Sequence, residues 1–303
     1  MARVGILAAT GGWHFTALAR AFAANGCETV RLDPERLIGR IGPAGGIAAG
    51  AASAARAAGP LVPLEGLDAL LVRVIPPGSL DQIVFRVDAL HLLADGGLPV
   101  VNQPRCLERT IDKHWTSRLL ERAGIPTPRT VVAESLDDAL QAFATLGDVV
   151  VKPLLGSGGR GILRLTDPDL AWRAFRALEE QRAVFYLQEF VPHGRTDLRL
   201  FVAGGEVVAA ARRSGESWKC NVAAGAATLP HAPTAEQADL AARAAAAVGA
   251  DYAGVDLLEA EDGRLLVNEV NGIPGWSGLQ EVARIDIASV VASRVRARIG
   301  GRR

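Results

Sequence analysis

Between Gly254 and Gly272 the chain reads GVDLLEAEDGRLLVNEVNG, two apolar runs divided by Asp262-Gly263. That dipeptide between such runs is a strong two-residue hairpin signal. A turn there sets Glu261 across from Arg264 and carries the pairing out to Asp256 opposite Glu269. Asn271, two residues beyond Glu269, points to the same face. Carboxylates directly opposed across a sheet lie ~4.5–5.5 Å apart and repel one another. A cation between Asp256 and Glu269, with the amide oxygen of Asn271 beside it, would relieve that repulsion. All-oxygen ligands suit Mg²⁺, which binds through a few carboxylates plus substrate phosphates. The plain alternative is a solvent-exposed polar face; the flanking Val255, Leu257, Val267 and Val270 weigh against it, because they mark a half-buried strand.

A second feature is Gly156-Ser-Gly-Gly-Arg-Gly161, which matches G-x-G-x-x-G letter for letter. The dinucleotide fingerprint needs a strand before it and a helix after it, since the pyrophosphate sits on the helix N-terminus. Val149 to Lys152 supplies the strand, but Ile162 to Thr166 alternates and runs into the turn at Asp167-Pro168, so a second strand follows. Strand, glycine loop, strand describes a flap over a nucleotide triphosphate, whose glycines let amide groups approach phosphate oxygens. Lys152 stands at the foot of the flap; a glycine hairpin with a solvated lysine is the competing account. A third hairpin runs from Asp197 to Val202, turns at Gly204-Gly205 and returns from Glu206 to Arg213. Asp197, Arg199 and Phe201 share a face, and a two-residue turn brings Arg212 rather than Arg213 across to it. A surface ion-pair ladder would explain the same charges.

The remaining chain organises around these hairpins. Val4 to Ala8, a breaker at Thr10-Gly11-Gly12, and Phe15, Leu18, Ala19 and Phe22 at helical spacing read as strand, turn and helix. Strands follow at Glu28 to Leu32, Asp68 to Ile75 and Pro99 to Val101, with a helix over 81–95. Residues 39–60, rich in Ala and Gly, read as a loop with at most a weak helix. Helices are expected over 111–123, 137–146, 169–181, 235–249 and near 282–299. The length of 303 residues suggests two or three lobes, with divisions at 1–105, 106–187 and 188–303. The fold class is α/β, with an α+β C-terminal part.

Lys plus Arg and Asp plus Glu balance at 33 each, which argues against the bulk basic charge of nucleic-acid binding. Cys27, Cys106 and Cys220 are widely spaced and leave an odd thiol, fitting a reducing compartment. The opening MARVGILAATGGW is too short an apolar run for a signal peptide, and no stretch reaches the ~18 apolar residues of a membrane span. A soluble cytoplasmic protein without membrane partners is expected.

Lys113, Lys152 with its glycine flap, Gln188-Glu189-Phe190-Val191, Asp197-Leu-Arg199 and Asp256…Glu269-Val-Asn271 occur in this order. The succession resembles the ATP-grasp carboxylate–amine ligases, and among them the RimK-like α-amino-acid ligases. The resemblance extends over nearly the whole chain, including IDKHWTSRLLERAGIPTP and the strand ending in Asn102. It implies an N-terminal pre-ATP-grasp α/β domain, a central lid and a C-terminal antiparallel platform, with ATP clamped between the last two. Carried over by position, Lys113, Lys152, Gly156, Ser157, Gly158 and Gly159 would contact the phosphates. Gln188, Glu189, Phe190 and Val191 would line the adenine slot, with Glu189 or Asp197 on the ribose. Asp256, Glu269 and Asn271 match the Mg²⁺ ligands, with Mn²⁺ as an alternative ion. Lys219 and Asn221 match a segment contacting nucleotide or substrate. Arg199 and Arg213 match arginines near the transferred phosphate, whereas the pleat favours Arg212; a bulge would reconcile the two.

The implied reaction activates a substrate carboxylate as an acyl phosphate, which an amine then captures. Pro274-Gly-Trp276 is similar to the element in relatives that glutamylate pterin or furan one-carbon carriers, so glutamate would be the amine and such a carrier the acceptor. Trp276 would then stack on a ring, unless it is a buried tryptophan in a tight turn. A protein tail or amino-group carrier protein is the alternative acceptor, and a homo-oligomer, dimer or tetramer, is compatible with the family. Two rivals stand outside the ligases. A non-catalytic nucleotide-binding protein is disfavoured by both lysines and all three ion ligands being present; a nicotinamide oxidoreductase fails at the missing helix.

Overall fold

The computed structural model describes all residues except 10, 44, 53–57, 157, 221–224 and 301–303. Its first sheet is built on β1 (Ala2–Leu7), whose apolar residues are buried, followed by α1 (Trp13–Ala24), which turns Leu18, Ala21 and Phe22 inward. Gly26 at φ +67 ends that helix and starts β2 (Cys27–Arg40), parallel to β1. Next come β3 (Gly46–Ala52), β4 (Ala58–Pro63), β5 (Ala69–Val72), α2 (Leu80–Asp95) and β6 (Val100–Val101). The strand order is β4-β3-β2-β1-β5-β6, parallel from β2 to β6 and antiparallel through β3 and β4. Ser79 and Gln82 close a capping box at the start of α2, satisfying two end groups that the helix itself leaves unpaired.

The expectation of a loop over 39–60 is corrected here: the Ala/Gly stretch forms the end of β2, all of β3 and the start of β4. Backbone pairing to β2 carries segments whose side chains have little strand preference. A glycine is also required at position 59, where a Cβ would collide with the backbone carbonyl of Ala51 on the paired strand.

The next elements are α3 (Pro104–Ile111), α4 (Lys113–Arg122), β7 (Thr130–Ala133), α5 (Leu136–Leu146), β8 (Val149–Lys152), β9 (Leu163–Leu165), α6 (Pro168–Glu180) and β10 (Phe185–Glu189). The four strands pair antiparallel as β7-β10-β8-β9 over a core of Phe143, Phe175 and Phe185. The single helix read over 111–123 is instead the end of α3 and all of α4. Asp112 separates them with an extended backbone and caps the second, accepting from Trp115 N at 3.0 Å.

The third sheet comprises β11 (Thr196–Ala203), β12 (Glu206–Ser214), β13 (Ala227–Pro230), β14 (Tyr252–Glu259) and β15 (Leu265–Asn271), ordered β13-β12-β11-β14-β15 and wholly antiparallel. Between β13 and β14, α7 (Ala235–Val248) buries Leu240, Ala241, Ala244, Ala245 and Val248 against the sheet. The closing helix divides into α8 (Ser277–Val282) and α9 (Ile287–Gly300). The Gln280 side chain bridges the break, donating to Ile285 O at 2.7 Å and accepting from Ile287 N at 2.9 Å. Helices cross between sheets: α3 and α4 contact α7 and β15, while α9 packs on α1 and joins its core.

Candidate active site

The hairpin of β14 and β15 reaches its register by two offsetting shifts. Its loop has three residues rather than two: Ala260 N donates to Arg264 O and Gly263 N to Ala260 O, each at 2.9 Å, with Gly263 at φ +88. Glu259 therefore faces Leu265 and Leu257 faces Val267, one step from the two-residue register. An extra residue, Asn268, then bulges out of β15 and restores Asp256 opposite Glu269 and Gly254 opposite Asn271. The acidic pair is opposed as expected, by a route the turn sequence did not indicate. The bulge also turns Asn268 into the pocket, where its Oδ1 accepts from Lys152 Nζ at 3.1 Å.

Arginines share the space around the carboxylates. The hairpin of β11 and β12 contains a bulge at Val208, so Asp197 faces Arg213. This settles which arginine enters the site. Arg213 is buried and grips Asp197 with a two-pronged fork, Nε to Oδ1 and Nη2 to Oδ2, both 2.6 Å. Arg212 points to the opposite face and pairs with Glu259 at 2.6 Å. Asp256 lies 3.1 Å from Arg213 Nη2 and 2.9 Å from Arg199 Nε. Burial opposes the charge on Arg213, yet the neighbouring Asp256 and Asp197 hold it protonated more firmly than a free guanidinium.

The donor set fits a divalent cation. Asp256 Oδ1 is buried and accepts no hydrogen bond, because Arg199 Nε approaches it out of line. The Asn271 carboxamide spans Glu269 Oε1 at 3.2 Å and Arg199 Nη1 at 3.3 Å; hydrogen bonding sets its nitrogen toward Glu269 and its oxygen toward Arg199. A half-turn of that amide would add its oxygen to the carboxylates of Asp256 and Glu269, giving the all-oxygen donors that Mg²⁺ takes.

Opposite this trio lies the flap. Lys113, the first residue of α4, donates from Nζ to Gly156 O at 2.8 Å and Leu154 O at 3.4 Å. Lys152 donates to Gln188 Oε1 at 2.6 Å. Burial pushes the Lys152 ammonium down to about 8, with Lys113 adding to the shift and Glu269 and Asp256 opposing it. Burial also lowers Lys113, against the pull of Glu269 and Asp112. Gly156, Gly158, Gly159 and Gly161 all have positive φ, between +71° and +133°, a backbone that residues with a Cβ rarely take. Lys219, in the segment between β12 and β13, donates to Ile162 O at 3.0 Å.

The far wall holds Gln188, Glu189, Phe190 and Val191. Arg164 stacks on the Phe190 ring at 3.4 Å and is itself fixed by a fork onto Asp148; Trp218 meets the ring edge-on. Among the described residues, Val191 has neither its amide nor its carbonyl in a backbone hydrogen bond. Burial works against the Glu189 charge, but Arg129 at 2.7 Å and Arg264 at 3.4 Å bring its carboxyl below the usual range.

One cavity thus gathers Lys113, Lys152, Gly156, Gly158, Gly159, Gln188, Glu189, Phe190, Val191, Asp197, Arg199, Arg213, Lys219, Asp256, Glu269 and Asn271. Ser157 and Asn221 lie outside the described residues. Trp276 is a correction: it is 1% exposed, packed among Phe201, His14 and the guanidinium of Arg73, so no substrate ring can reach it. Asn268 was missed, because only a bulge, which no turn dipeptide announces, brings it inward.

Residues 110–295 match the RimK-like ATP-grasp domain family. The chain is 38% identical to the tetrahydromethanopterin:alpha-L-glutamate ligase of Methanocaldococcus jannaschii, over 77% of this chain and 80% of that protein. It is 34% identical to the alpha-aminoadipate–LysW ligase LysX of Sulfolobus acidocaldarius, over 65% of this chain and 74% of the relative. Among solved structures, a RimK domain ATP-grasp protein from Sphaerobacter thermophilus superposes with a TM-score of 0.71 at 27% identity, covering 97% and 99% of the two chains. The ATP-grasp ligase PsnB, bound to a minimal precursor, Mg and ADP, shares the fold with a TM-score of 0.72 at 20% identity, covering 98% of each chain. With its lysines, flap and opposed acids converging on one cavity, the chain belongs to the RimK-like ATP-grasp family of ATP-dependent carbon–nitrogen ligases.

Proposed function

We propose that the protein joins L-glutamate, through its amine, to the carboxylate of a pterin- or furan-type one-carbon carrier, with ATP cleaved to ADP and phosphate. The carrying observation is the convergence on one cavity of Lys113, Lys152, Arg199 and Arg213 with the opposed Asp256 and Glu269 beneath a glycine flap. The choice of glutamate and carrier is supported by relatives named for that ligation at 32–38% identity. Lys113 and Lys152 bind the phosphates; the flap amides close over them; Phe190 and Val191 hold the base. Asp256, Glu269 and Asn271 would hold Mg²⁺ or Mn²⁺, which supplies neutralising charge at the phosphates. An acceptor carboxylate oxygen attacks the γ-phosphorus as the bond to the β,γ-bridging oxygen breaks, giving acyl phosphate and ADP. The glutamate amine then attacks the acyl carbon, loses a proton and expels phosphate. Arg199 and Arg213 stabilise the oxyanion between those events. No side-chain nucleophile is needed in either step, and burial pushes the thiol of Cys220, which also lines the cavity, up to about 11.

The test is incubation with ATP, Mg²⁺, glutamate and candidate acceptors, following ADP release and product mass. ADP formation requiring both glutamate and a reduced pterin, with the mass of one added glutamyl group, is the expected result. Dependence on a carrier protein instead would move the acceptor away from pterins, toward LysW, which the LysX relative is named for. Nucleotide binding without turnover on any acceptor would overturn the ligase assignment for this chain.

A further inference from the structure

Asn102 follows β6 in the first domain and lines no part of the cavity, yet it is 0% exposed and its carboxamide is fully engaged by the third sheet. Nδ2 donates to Tyr252 O at 2.8 Å and to Gly272 O at 2.7 Å. Oδ1 accepts from Asp251 N at 2.7 Å and Tyr252 N at 3.2 Å. Tyr252 opens β14, and Gly272 comes directly after the last residue of β15. The ladder between these strands ends at Gly254 opposite Asn271. Beyond that pair, the Asn102 amide stands where the next peptide group would pair, bridging the two strands at the end that carries Asn271.

Gly272 is held from its other side as well. A Cβ there would collide with Thr110 Oγ1, which α3 pins through Cys106 O at 2.9 Å and Leu107 O at 3.2 Å. The segment after Asn271 is therefore clamped between α3 and a side chain from the first domain. Arg73 adds a tie from the same domain, donating to Pro274 O at 2.6 Å and Tyr252 Oη at 3.3 Å.

We infer that Asn102 is a positioning residue for the ion-binding trio: by bridging Tyr252 and Gly272 it holds Asn271 at the distance from Asp256 and Glu269 that a shared divalent cation requires. This rests on the ion role proposed for those three residues. A fully satisfied buried amide suits the task, because each of its four bonds has a fixed direction and losing any one strands a buried partner.

The test is Mn²⁺ binding to the full chain with ADP present, read by electron paramagnetic resonance, with turnover not used as the readout. Glu269→Gln serves as the reference for loss of the site. Asn102→Ala should weaken Mn²⁺ about tenfold or more, the scale for outer partners of metal ligands, while metal-free ADP binding stays close to wild type. Gly272→Ala displaces the carbonyl that Asn102 holds while leaving the Asn102 side chain in place, and should weaken Mn²⁺ likewise; it carries the test alone if Asn102→Ala does not fold. Wild-type Mn²⁺ affinity in the Asn102 and Gly272 variants, with loss in Glu269→Gln, would overturn the inference. A lowered melting temperature with unchanged Mn²⁺ affinity would do the same, assigning Asn102 to folding alone. Full Mn²⁺ binding by Glu269→Gln would remove the ion role itself, and this inference with it.

Discussion

Glu269 differs from its neighbour Asp256 in one respect that matters for substitution: Asp256 is braced by Arg199 and Arg213, whereas the Glu269 contact is with the Asn271 amide. Glu269→Gln keeps the shape and should abolish turnover while the circular dichroism spectrum and melting temperature remain near wild type; an active or unfolded variant would count against the ion role. Arg213 is the opposite case. Its removal leaves Asp197 buried without its partner and Asp256 with Arg199 alone, so Arg213→Ala should cost about 3–5 kcal/mol in urea denaturation. Arg212→Ala, which breaks a half-exposed pair with Glu259, should cost less than about 1 kcal/mol. Equal costs would mean that the fork on Asp197 is not what holds this face together. Asn268→Ala deprives Lys152 of one of its two acceptors and should raise the KM for ATP by a few-fold, with the KM for glutamate unaffected.

At the scale of the element, both hairpins depend on an irregularity. Without the bulge at Val208, Arg212 would face the site and Arg213 the Glu259 side; without the one at Asn268, the strand would turn Glu269 away from Asp256. A one-residue offset reverses every side chain beyond it, so deleting Val208 should inactivate the enzyme while leaving strand content unchanged by far-ultraviolet circular dichroism. The flap is limited differently. A Cβ at Gly158 meets open space, yet its φ is +73°, so Gly158→Ala is strained by about 1 kcal/mol through the backbone alone. That strain should appear as a raised KM for ATP in steady-state assays, with no change in global melting temperature, since the flap contributes little to the core.

Across the whole molecule, α1 meets the segment leading into α8 where Trp276 N donates to His14 Nε2 at 3.0 Å. That bond requires a neutral imidazole. Burial, assisted by Arg73, lowers His14 from 6.5 to about 4. Below pH 6.5 the unfolded chain takes up a proton that the folded chain refuses, so stability from this contact, complete above 6.5, is lost as pH falls toward 4. Melting temperatures measured across that window should decline less in His14→Gln than in wild type; parallel curves would show that the junction does not titrate. The same junction contains Asn102 and Arg73, which tie the first sheet to the start of β14 and to the segment after β15.

Several things could be read from the chain alone: the α/β alternation, the glycine flap between two strands, the lysines, and the opposed acids of β14 and β15. These follow from local rules, in which turn dipeptides, apolar spacing and glycine content act over a few residues. Other features were not legible because they arise from contacts between segments distant in sequence. The Ala/Gly stretch becomes strands only because β2 offers it a ladder. Which arginine faces Asp197 depends on a bulge with no turn signal. Trp276 is buried by His14 and Arg73, 262 and 203 residues away. Asn102 is an unremarkable polar residue until folding places it between two strands that begin 150 and 163 residues later. Residue types limited which chemistry was available; close packing between remote segments decided which side chains could reach it.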